Sequence, residues 1–396
     1  MWEQIRANRR RSGFVVAVMG VVLVATGIAL GAVLSPDPNA PFAGAVGALV
    51  LWLVLWIVAA FQGDRILLAV AGAHEIQKTD HPELFDVVEE MTIAALLPQV
   101  PRVYIVDDAS PNAFATGVSP KRTAVTVTTG LLALLDRDEL QGVVGHEVGH
   151  VKNRDVALMS TAGIMLGAIV LLADVGRNTL RYGGGQRQSR SDRDRGGGAA
   201  LVVVALVLVV LAPILAQLLY LALSRRREYL ADASSAIFTR YPEGLASALE
   251  KLGGSTTPLA HPNRVTDPMY IVAPASVARD EGGSWFSTHP PLGERIRILR
   301  GMAGGAGLAV YDAAFRAVKG AGVVGARTLA GAAAVTARGP SPAAPGPASR
   351  ARQASDALLS AKGYRRVECG CGATVKLPPD ASGAGRCPRC EAPLAA

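Results

Sequence analysis

The chain has 396 residues with a formal net charge of +8; half of them are hydrophobic and only 18% are charged. Its mean hydropathy is +0.30, which argues against a simple soluble protein and prompts a search for membrane spans. The basic charge comes largely from arginines beside apolar segments and in one insert. It is therefore not interpreted as a sign of nucleic-acid recognition.

Four uncharged apolar segments, 13–34, 42–61, 156–173 and 199–223, predict membrane spans. A helix of about 20 apolar residues matches the roughly 30 Å hydrocarbon core. Arginines precede the first segment and none lies between the first two, so the positive-inside rule predicts a cytoplasmic N-terminus. The last two segments flank the arginine-rich insert 177–198, which two full crossings would place outside. They either cross fully or form a re-entrant pair.

Between the second and third apolar segments, the sequence predicts a small mixed α/β region. Its last element is a helix with an acidic first turn, which carries the motif H-E-x-x-H. The preceding elements are a helix over 81–97, a strand over 102–108, a short extended piece around Asn112–Thr116 and a strand over 122–132. After the fourth apolar segment, helices are predicted over 224–240, 242–252 and 290–302.

The motif H-E-x-x-H places His146 and His150 on one helix face, so both imidazoles can reach a single Zn²⁺. Glu147 lies beside them and can take a proton from the attacking water and return it to the leaving amine. Catalytic zinc needs a third protein ligand. Glu228 is the obvious candidate, because it follows the fourth apolar segment closely, as His150 precedes the third. Asp232, one turn later, can accept the other ring N–H of a ligand histidine.

The alternative interpretation is that the two carboxylates merely balance the arginines at 225–227 on a solvated face. Because the chain also carries H-E-x-x-H, this alternative is less favoured than a role of Glu228 and Asp232 at the metal site. Moreover, "GHEVGHVKNRD" with "SRRREYLADA", "SPNAFATG" and "STHPPLGERI" resembles the HtpX-type membrane zinc endopeptidases, relatives of the CAAX-prenyl-protein proteases. The resemblance covers roughly residues 10–300. It implies a gluzincin with a cytoplasmic site that acts on membrane proteins, in which His146, His150 and Glu228 are the ligands and Glu147 is the general base.

Three further residues are predicted to serve the site. His289 lies in a block that matches the family, and its imidazole could hydrogen-bond the oxyanion of the tetrahedral intermediate. Arg295 could do the same, or anchor the fold through a carboxylate. Asn112 begins a candidate sheet edge, Asn112–Gly117, along which a substrate could bind as an extra strand, with Asn112 contacting its backbone. An asparagine in a turn after Pro111 explains the sequence equally well.

Two regions depart from the family pattern. The insert 177–198 is longer than expected, and the resemblance does not account for residues 303–396. From 303 to 362 the chain is dominated by alanine, glycine and proline, which predicts a flexible linker. Within it, "AGVVGARTLAGAAAV" fits either a surface helix or disorder.

All cysteines of the chain lie near its C-terminus, in the pattern C-x-C-x15-C-x2-C: Cys369, Cys371, Cys387 and Cys390. Two close pairs at this separation are typical of a zinc ribbon with a closed tetrahedral site. Metal is favoured over disulfides, in agreement with a reducing cytoplasm. The partner of the ribbon is unknown, and no specific nucleic acid is expected.

The sequence therefore predicts an α-helical integral membrane protein with about four transmembrane helices, a mostly helical gluzincin-like α+β protease domain with a small sheet, and a small β-rich zinc ribbon. The predicted domains are a tail with two spans over 1–62, the protease domain over 63–302, the linker over 303–362 and the ribbon over 363–396. The predicted function is zinc-dependent hydrolysis of peptide bonds in membrane proteins, especially misfolded or damaged ones, or in peptides at the cytoplasmic face of the cell membrane. One catalytic and one structural Zn²⁺ are expected.

Two other functions remain open on the sequence alone. A catalytically inactive membrane adaptor would act through its ribbon, but the intact H-E-x-x-H motif and Glu228 argue against it. An intramembrane protease would carry the motif inside a span. Charged residues flank the motif on both sides, and burying them in lipid would be very costly.

Overall fold

The computed structural model describes most of the chain outside the third and fourth apolar segments. The described residues are 2–35, 37–119, 121–156, 225–260, 269–272, 289–302, 304–342, 346–379 and 385–394, with short pieces at 165–167, 169–170, 173–174 and 214–215. Most of the predicted spans 156–173 and 199–223 lies outside the described residues, as does the whole arginine-rich insert 177–198.

Two long helices, α1 (Trp2–Leu34) and α2 (Ala40–Val70), begin the chain as a hairpin. Each contains a stretch long and apolar enough to cross a membrane, as predicted for the first two apolar segments. The two helices approach closely at Gly27, where an added Cβ would lie only 2.5 Å from the carbonyl oxygen of Gly44. Glycine permits this approach because it has no side chain. The outer face of α2 exposes large apolar side chains, as a lipid-facing helix requires.

Helix α2 continues past its apolar part and joins the hairpin to the sheet. Asp64, only 1% exposed, accepts a hydrogen bond of 2.8 Å from Arg122 and lies 3.6 Å from Arg102. A buried carboxylate is tolerated only where such partners compensate for its lost hydration. The two arginines belong to strands, so this cluster fixes the sheet to the C-terminal end of α2.

The sheet has four strands in the order β1-β2-β4-β3. Their bounds are β1 Ala73–Glu75, β2 Arg102–Val106, β3 Ala113–Ser119 and β4 Arg122–Thr128. β2 and β4 run parallel, while β1 and β3 are antiparallel to their neighbours. The predicted strands and the extended piece between them are confirmed, and β3 lies at an edge of the sheet. β4 ends earlier than predicted because the Thr128 hydroxyl caps the short helix α4 (Thr129–Leu134).

Helices cover this sheet and enclose the main hydrophobic core. Their bounds are α3 Pro82–Ala94, α5 Arg137–Lys152, α6 over 225–239, α7 Pro242–Gly253 and α8 Leu292–Arg300. All five were predicted, with small differences at their ends. α5 begins with a capping box, in which Asp136 and Glu139 each accept a hydrogen bond from the other's backbone N–H.

The segment 303–362 differs from the flexible linker predicted for it. It contains α9 (Leu308–Lys319), α10 (Ala326–Ala330) and α11 (Pro347–Ala361). Tyr311 is fully buried in the main core, where Leu358 of α11 also packs. The packing of these helices was not evident from the sequence, because their few large apolar residues are spread among alanines and glycines. Burying those few residues is nevertheless enough to hold the helices against the core.

The C-terminal segment forms an antiparallel hairpin of β5 (Arg365–Glu368) and β6 (Thr374–Leu377). The carboxylate of Asp356 in α11 accepts hydrogen bonds from Arg366 and Lys376, one in each strand. The predicted small β-rich unit is therefore present, and it is attached to α11 by charged contacts.

Candidate metal centre

The helix that carries H-E-x-x-H packs unusually closely against its neighbours. A Cβ added to Gly142 would lie 2.6 Å from the backbone nitrogen of Leu245 in α7. A Cβ on Gly149 would lie 2.9 Å from Cβ of Ser234 in α6. These distances are shorter than side chains tolerate, so glycine is required at both positions. The close approach brings α6, with Glu228, beside the two histidines of α5.

His146, His150 and Glu228 converge on one point, as the sequence predicted. The Nε2 atoms of the two histidines lie 3.2 Å apart. Glu228 Oε2 lies 3.6 Å from His146 Nε2, and Glu228 Oε1 lies 3.4 Å from His150 Nε2. Ligands about 2.0–2.1 Å from a tetrahedral Zn²⁺ are separated by roughly 3.3 Å from one another. The three donor groups therefore have the spacing and the chemistry of a catalytic zinc site.

The other ring nitrogen of each histidine faces a carboxylate. Asp232 Oδ1 lies 2.9 Å from His146 Nδ1, as the sequence predicted for Asp232. Asp155 Oδ2 lies 3.4 Å from His150 Nδ1. Such contacts hold the proton on Nδ1, which leaves Nε2 free to bind metal. The sequence analysis did not predict a role for Asp155, which follows other charged residues after the motif. Its position five residues after His150 was the only available sign that it could contact that histidine.

Arg295 is fully buried behind these ligands. Its guanidinium donates to both carboxylate oxygens of Asp232, from Nε at 2.9 Å and from Nη2 at 2.7 Å. Nη1 also donates to the carbonyl oxygen of Ile271 at 3.2 Å. Of the two roles predicted for Arg295, the structure supplies the contacts for anchoring through a carboxylate.

His289 lies beside the ligand set and is 6% exposed. Its Nδ1 is 3.0 Å from Glu228 Oε2, so the imidazole contacts the third predicted ligand directly. The structure brings it to the site, as expected from its motif. Its contact with an oxyanion stays a prediction.

Glu147 is buried beside the histidines, with 2% of its surface exposed. Burial raises the pKa of its carboxyl group, whereas the two imidazoles and a hydrogen bond from the backbone N–H of Ala115 act in the opposite direction. A carboxylate with a raised pKa is a stronger base, which suits proton transfer near neutral pH.

The carboxylates and imidazoles shift one another's ionisation. Burial alone would lower the pKa of His146, but its hydrogen bonds with Asp232 and Glu228 outweigh this and raise it. Burial alone would raise the pKa of Glu228, but the charge on His289 and the hydrogen bonds from the histidines hold it well below its usual value. Zinc binds neutral imidazoles, so metal binding at this centre is expected to release protons.

The edge strand β3 runs along the centre. The carbonyl oxygen of Ala113 accepts a hydrogen bond of 2.9 Å from the backbone of Ile271, on the side away from β4. Alternation along the strand directs the backbone of Ala115 and Gly117 to the same side, away from β4. The backbone N–H of Ala115 acts to lower the pKa of Glu147, which agrees with this direction. The predicted substrate edge thus lies next to the predicted general base.

Asn112 is buried, and its side chain is engaged within the protein. Its Nδ2 donates to the carbonyl oxygen of Val272 at 2.8 Å, and its Oδ1 accepts from the backbone nitrogens of Ala113 and Val272. The amide therefore fastens residues 269–272 alongside the start of β3. Direct contact between Asn112 and a substrate stays a prediction. The observed contacts are those of a residue with a structural role.

The four cysteines also form a candidate metal cluster. All are free thiols, with Cys369 Sγ 3.5 Å from Cys390 Sγ and Cys371 Sγ 3.7 Å from Cys387 Sγ. Four sulfurs about 2.3 Å from a tetrahedral zinc would be roughly 3.8 Å apart. Backbone N–H donors, from Arg389 first, lower the pKa of Cys387 to about 6, so its thiolate is available at neutral pH.

Comparisons with known proteins agree with this geometry. The sequence matches peptidase family M48 over residues 78–303. A "Protease HtpX homolog" of Streptococcus gordonii is 40% identical over 304 residues, which cover 76% of this chain and all of that protein. The protein of the same name from Dictyoglomus thermophilum is 44% identical over 306 residues, covering 76% of this chain and 94% of that protein.

Among solved structures, the crystal structure of S. mikatae Ste24p aligns with a TM-score of 0.37 and 20% identity, covering 65% of this chain and 64% of that chain. The family assignment depends on the sequence matches and on the metal centre. With its H-E-x-x-H helix and Glu228 in place, the chain belongs to peptidase family M48, as a membrane zinc metalloprotease related to HtpX.

Proposed function

We propose that the protein hydrolyses peptide bonds of membrane proteins at the cytoplasmic face, with Glu147 as the general base. The observation that carries this proposal is the position of Glu147, which is buried on the same helix as His146 and His150 and lies near the backbone of Ala115 in β3. When bound, Zn²⁺ would polarise the substrate carbonyl and lower the pKa of water at the site. His146, His150 and Glu228 are the residues that would hold it.

Glu147 would accept a proton from the attacking water and pass it to the leaving amine. The backbone N–H of Ala115 favours the ionised form of this carboxyl group, the form that a general base requires. His289, next to Glu228, would donate a hydrogen bond to the negative charge that develops on the carbonyl oxygen.

The substrate would bind as an extended strand alongside β3. Ala115 and Gly117 direct backbone groups to the open edge, whereas Ile271 already occupies the edge at Ala113. A strand added beyond that point would place a scissile bond near Glu147. Main-chain pairing supplies affinity without demanding a particular sequence, which suits a protease that acts on varied membrane proteins.

A full crossing by the third apolar segment, which a protein with four spans requires, is supported by its short described pieces. Met165, Leu166 and Ile169 pack against α1 near Val15, Met19 and Leu23, and Ala173 contacts Leu30. The third segment would thus run alongside α1 from its cytoplasmic end towards its far end. With the arginines before α1 in the cytoplasm, the metal centre and the ribbon would also be cytoplasmic.

The cysteine cluster would hold a second, structural Zn²⁺. Its four thiols leave no open position for a substrate, so this ion would stabilise the β5–β6 hairpin. We expect the ribbon to bind a protein partner, and we expect no specific nucleic acid. The convergence of His146, His150 and Glu228 beside Glu147 argues against the inactive adaptor.

The experiment that tests the proposal compares the purified full chain with Glu147→Gln in proteoliposomes containing a membrane-protein substrate. Loss of the base is expected to lower kcat by about 10²–10⁴-fold. Zinc content should stay unchanged in the variant, because Glu147 is not a ligand. Equal cleavage by both proteins would contradict the proposal.

A further inference from the structure

An exposed apolar patch lies where α3 ends. Ile93, Leu96 and Val100, here called the Leu96 patch, are 73%, 80% and 43% exposed. In the part of the chain that the structure describes, the other exposed large apolar residues lie in α1, in α2 or in the predicted fourth span. The run 91–101 around the patch contains no charged residue. Such a patch on an otherwise polar domain indicates an interaction surface.

The backbone holds the patch in an unusual conformation. Leu96 has a φ of +52°, in the left-handed region that residues other than glycine seldom adopt. Lys152, the last residue of the H-E-x-x-H helix, donates a hydrogen bond of 3.4 Å from Nζ to the carbonyl oxygen of Leu96. The turn that projects the leucine outward is thus tied to the helix that carries the metal ligands.

The patch lies where the third apolar segment begins. Leu97, next to Leu96, packs against Ala115, Val151 and Val156, and Val156 is the first residue of that predicted span. Arg154 is exposed and Lys152 is partly exposed beside it. Apolar side chains at the tip with lysine and arginine next to them form the pattern of a bilayer-interface contact, where cations reach the phosphate groups of lipids.

We propose that the Leu96 patch is inserted into the boundary between headgroups and acyl chains of the bilayer, with Lys152 and Arg154 at the lipid phosphates. The occupant is lipid rather than another protein, because the patch continues the predicted membrane boundary at Val156 and has Lys152 and Arg154 beside it. Since Leu97 also packs against Ala115, this contact would fix the height of the β3 edge above the membrane. A segment drawn out of the bilayer would then meet that edge directly.

The test replaces Leu96 with the photo-crosslinking residue p-benzoylphenylalanine in the full chain, reconstituted into phosphatidylethanolamine–phosphatidylglycerol vesicles. Leu96 is exposed, so the replacement is compatible with folding, and an unchanged zinc content checks this. Trp56, exposed on α2, is the lipid-facing control position. Arg352, exposed on α11, is the control outside the patch.

After irradiation, mass spectrometry identifies what is attached at each position. We expect phospholipid adducts at Leu96 with a yield comparable to that at Trp56 and well above that at Arg352. Adducts at Leu96 with a second copy of the chain or with an added peptide would overturn the proposal, as would a lipid yield no higher than at Arg352. The readout needs no proteolysis, so its outcome is independent of the proposed function.

Discussion

Arg295 of α8 and Asp232 of α6 form a fully buried, bidentate ion pair directly behind His146. The carboxylate of Asp232 is shared, because its Oδ1 also lies 2.9 Å from His146 Nδ1. The orientation of a predicted zinc ligand therefore depends on an arginine 63 residues away from Asp232 in the sequence. Arg295 also lies near two predicted ligands directly, with Nη2 3.4 Å from His146 Nδ1 and Nη1 3.7 Å from Glu228 Oε2, so we interpret it as a positioning residue.

We therefore expect Arg295→Met to weaken catalytic zinc binding by about 10–100-fold, the usual effect of losing an outer contact to a ligand histidine. The variant should also lose about 3–5 kcal/mol of stability, because Asp232 would keep a buried charge without its partner. Chelator competition measures the zinc affinity, and thermal unfolding in detergent measures the stability.

Arg295→Lys is the matched control. It keeps the charge but supplies no bidentate contact, so we expect zinc affinity and stability between those of the wild type and of Arg295→Met. If both variants bound zinc as tightly as the wild type, the guanidinium would have no positioning role.

The proposed role of Glu228 as the third metal ligand can be tested separately. Glu228→Gln should lose the catalytic zinc and retain the ribbon zinc, so the metal content should fall from about two ions per chain to about one. Cys387→Ser should have the opposite effect, because it removes one sulfur of the closed site. Elemental analysis of both purified variants gives the counts, and proteolysis should disappear only in Glu228→Gln. A full metal content in Glu228→Gln would rule it out as a ligand.

Asp138 connects the H-E-x-x-H helix to the segment 303–342. Its carboxylate accepts hydrogen bonds from the backbone and the hydroxyl of Ser341 at 2.7 Å each, and from Arg338 at 2.6 Å. Burial acts to raise the pKa of Asp138, but these hydrogen bonds outweigh it and lower the pKa. The ionised carboxylate thus stabilises the fold above its unfolded pKa of about 3.9, and this contribution is lost as the pH falls through the lower folded value.

Asp138→Asn should therefore destabilise the protein by about 1–3 kcal/mol at pH 7, because charge-assisted hydrogen bonds are lost. At a pH low enough to protonate Asp138, the variant and the wild type should converge in stability. Denaturant unfolding at both pH values checks the prediction. A constant difference at all pH values would show that ionisation of Asp138 makes no contribution.

The metal centre was predictable because its residues obey local spacing rules. His146 and His150 lie one helical turn apart, His150 shortly precedes the third apolar segment, and Glu228 shortly follows the fourth. The contacts that Asp155 and Arg295 make behind the predicted ligands were harder to predict from the sequence. Asp155 stands in a charged run without a periodic signal, and the sequence left two roles for Arg295 because its partner is distant along the chain.

The fold of the chain after residue 303 was not predictable from composition. Tyr311 and Leu358 are few among many alanines, so the segment has the composition of a linker, although both pack in the core of the protease domain. The structure thus extends the protease fold beyond the matched residues 78–303 and places the ribbon on α11. Contacts between residues distant in the sequence determine this arrangement, and local helix propensities do not predict such contacts.

Gly149 allows the H-E-x-x-H helix α5 to pack closely against α6, and its substitution tests whether this packing assembles the metal centre. A methyl group at this position would meet Cβ of Ser234 at 2.9 Å and backbone atoms of Ala231 at 3.3 Å, so α5 and α6 would have to move apart. Gly149→Ala should cost about 1–3 kcal/mol of stability and weaken zinc binding, because the separation moves His150 away from Glu228. Gly293→Ala is the control, since a Cβ there meets nothing within 4 Å and the residue also lies in a helix. Thermal unfolding and zinc affinity of the two variants decide the matter: equal values in Gly149→Ala and Gly293→Ala would contradict a role for close helix packing in assembling the metal centre.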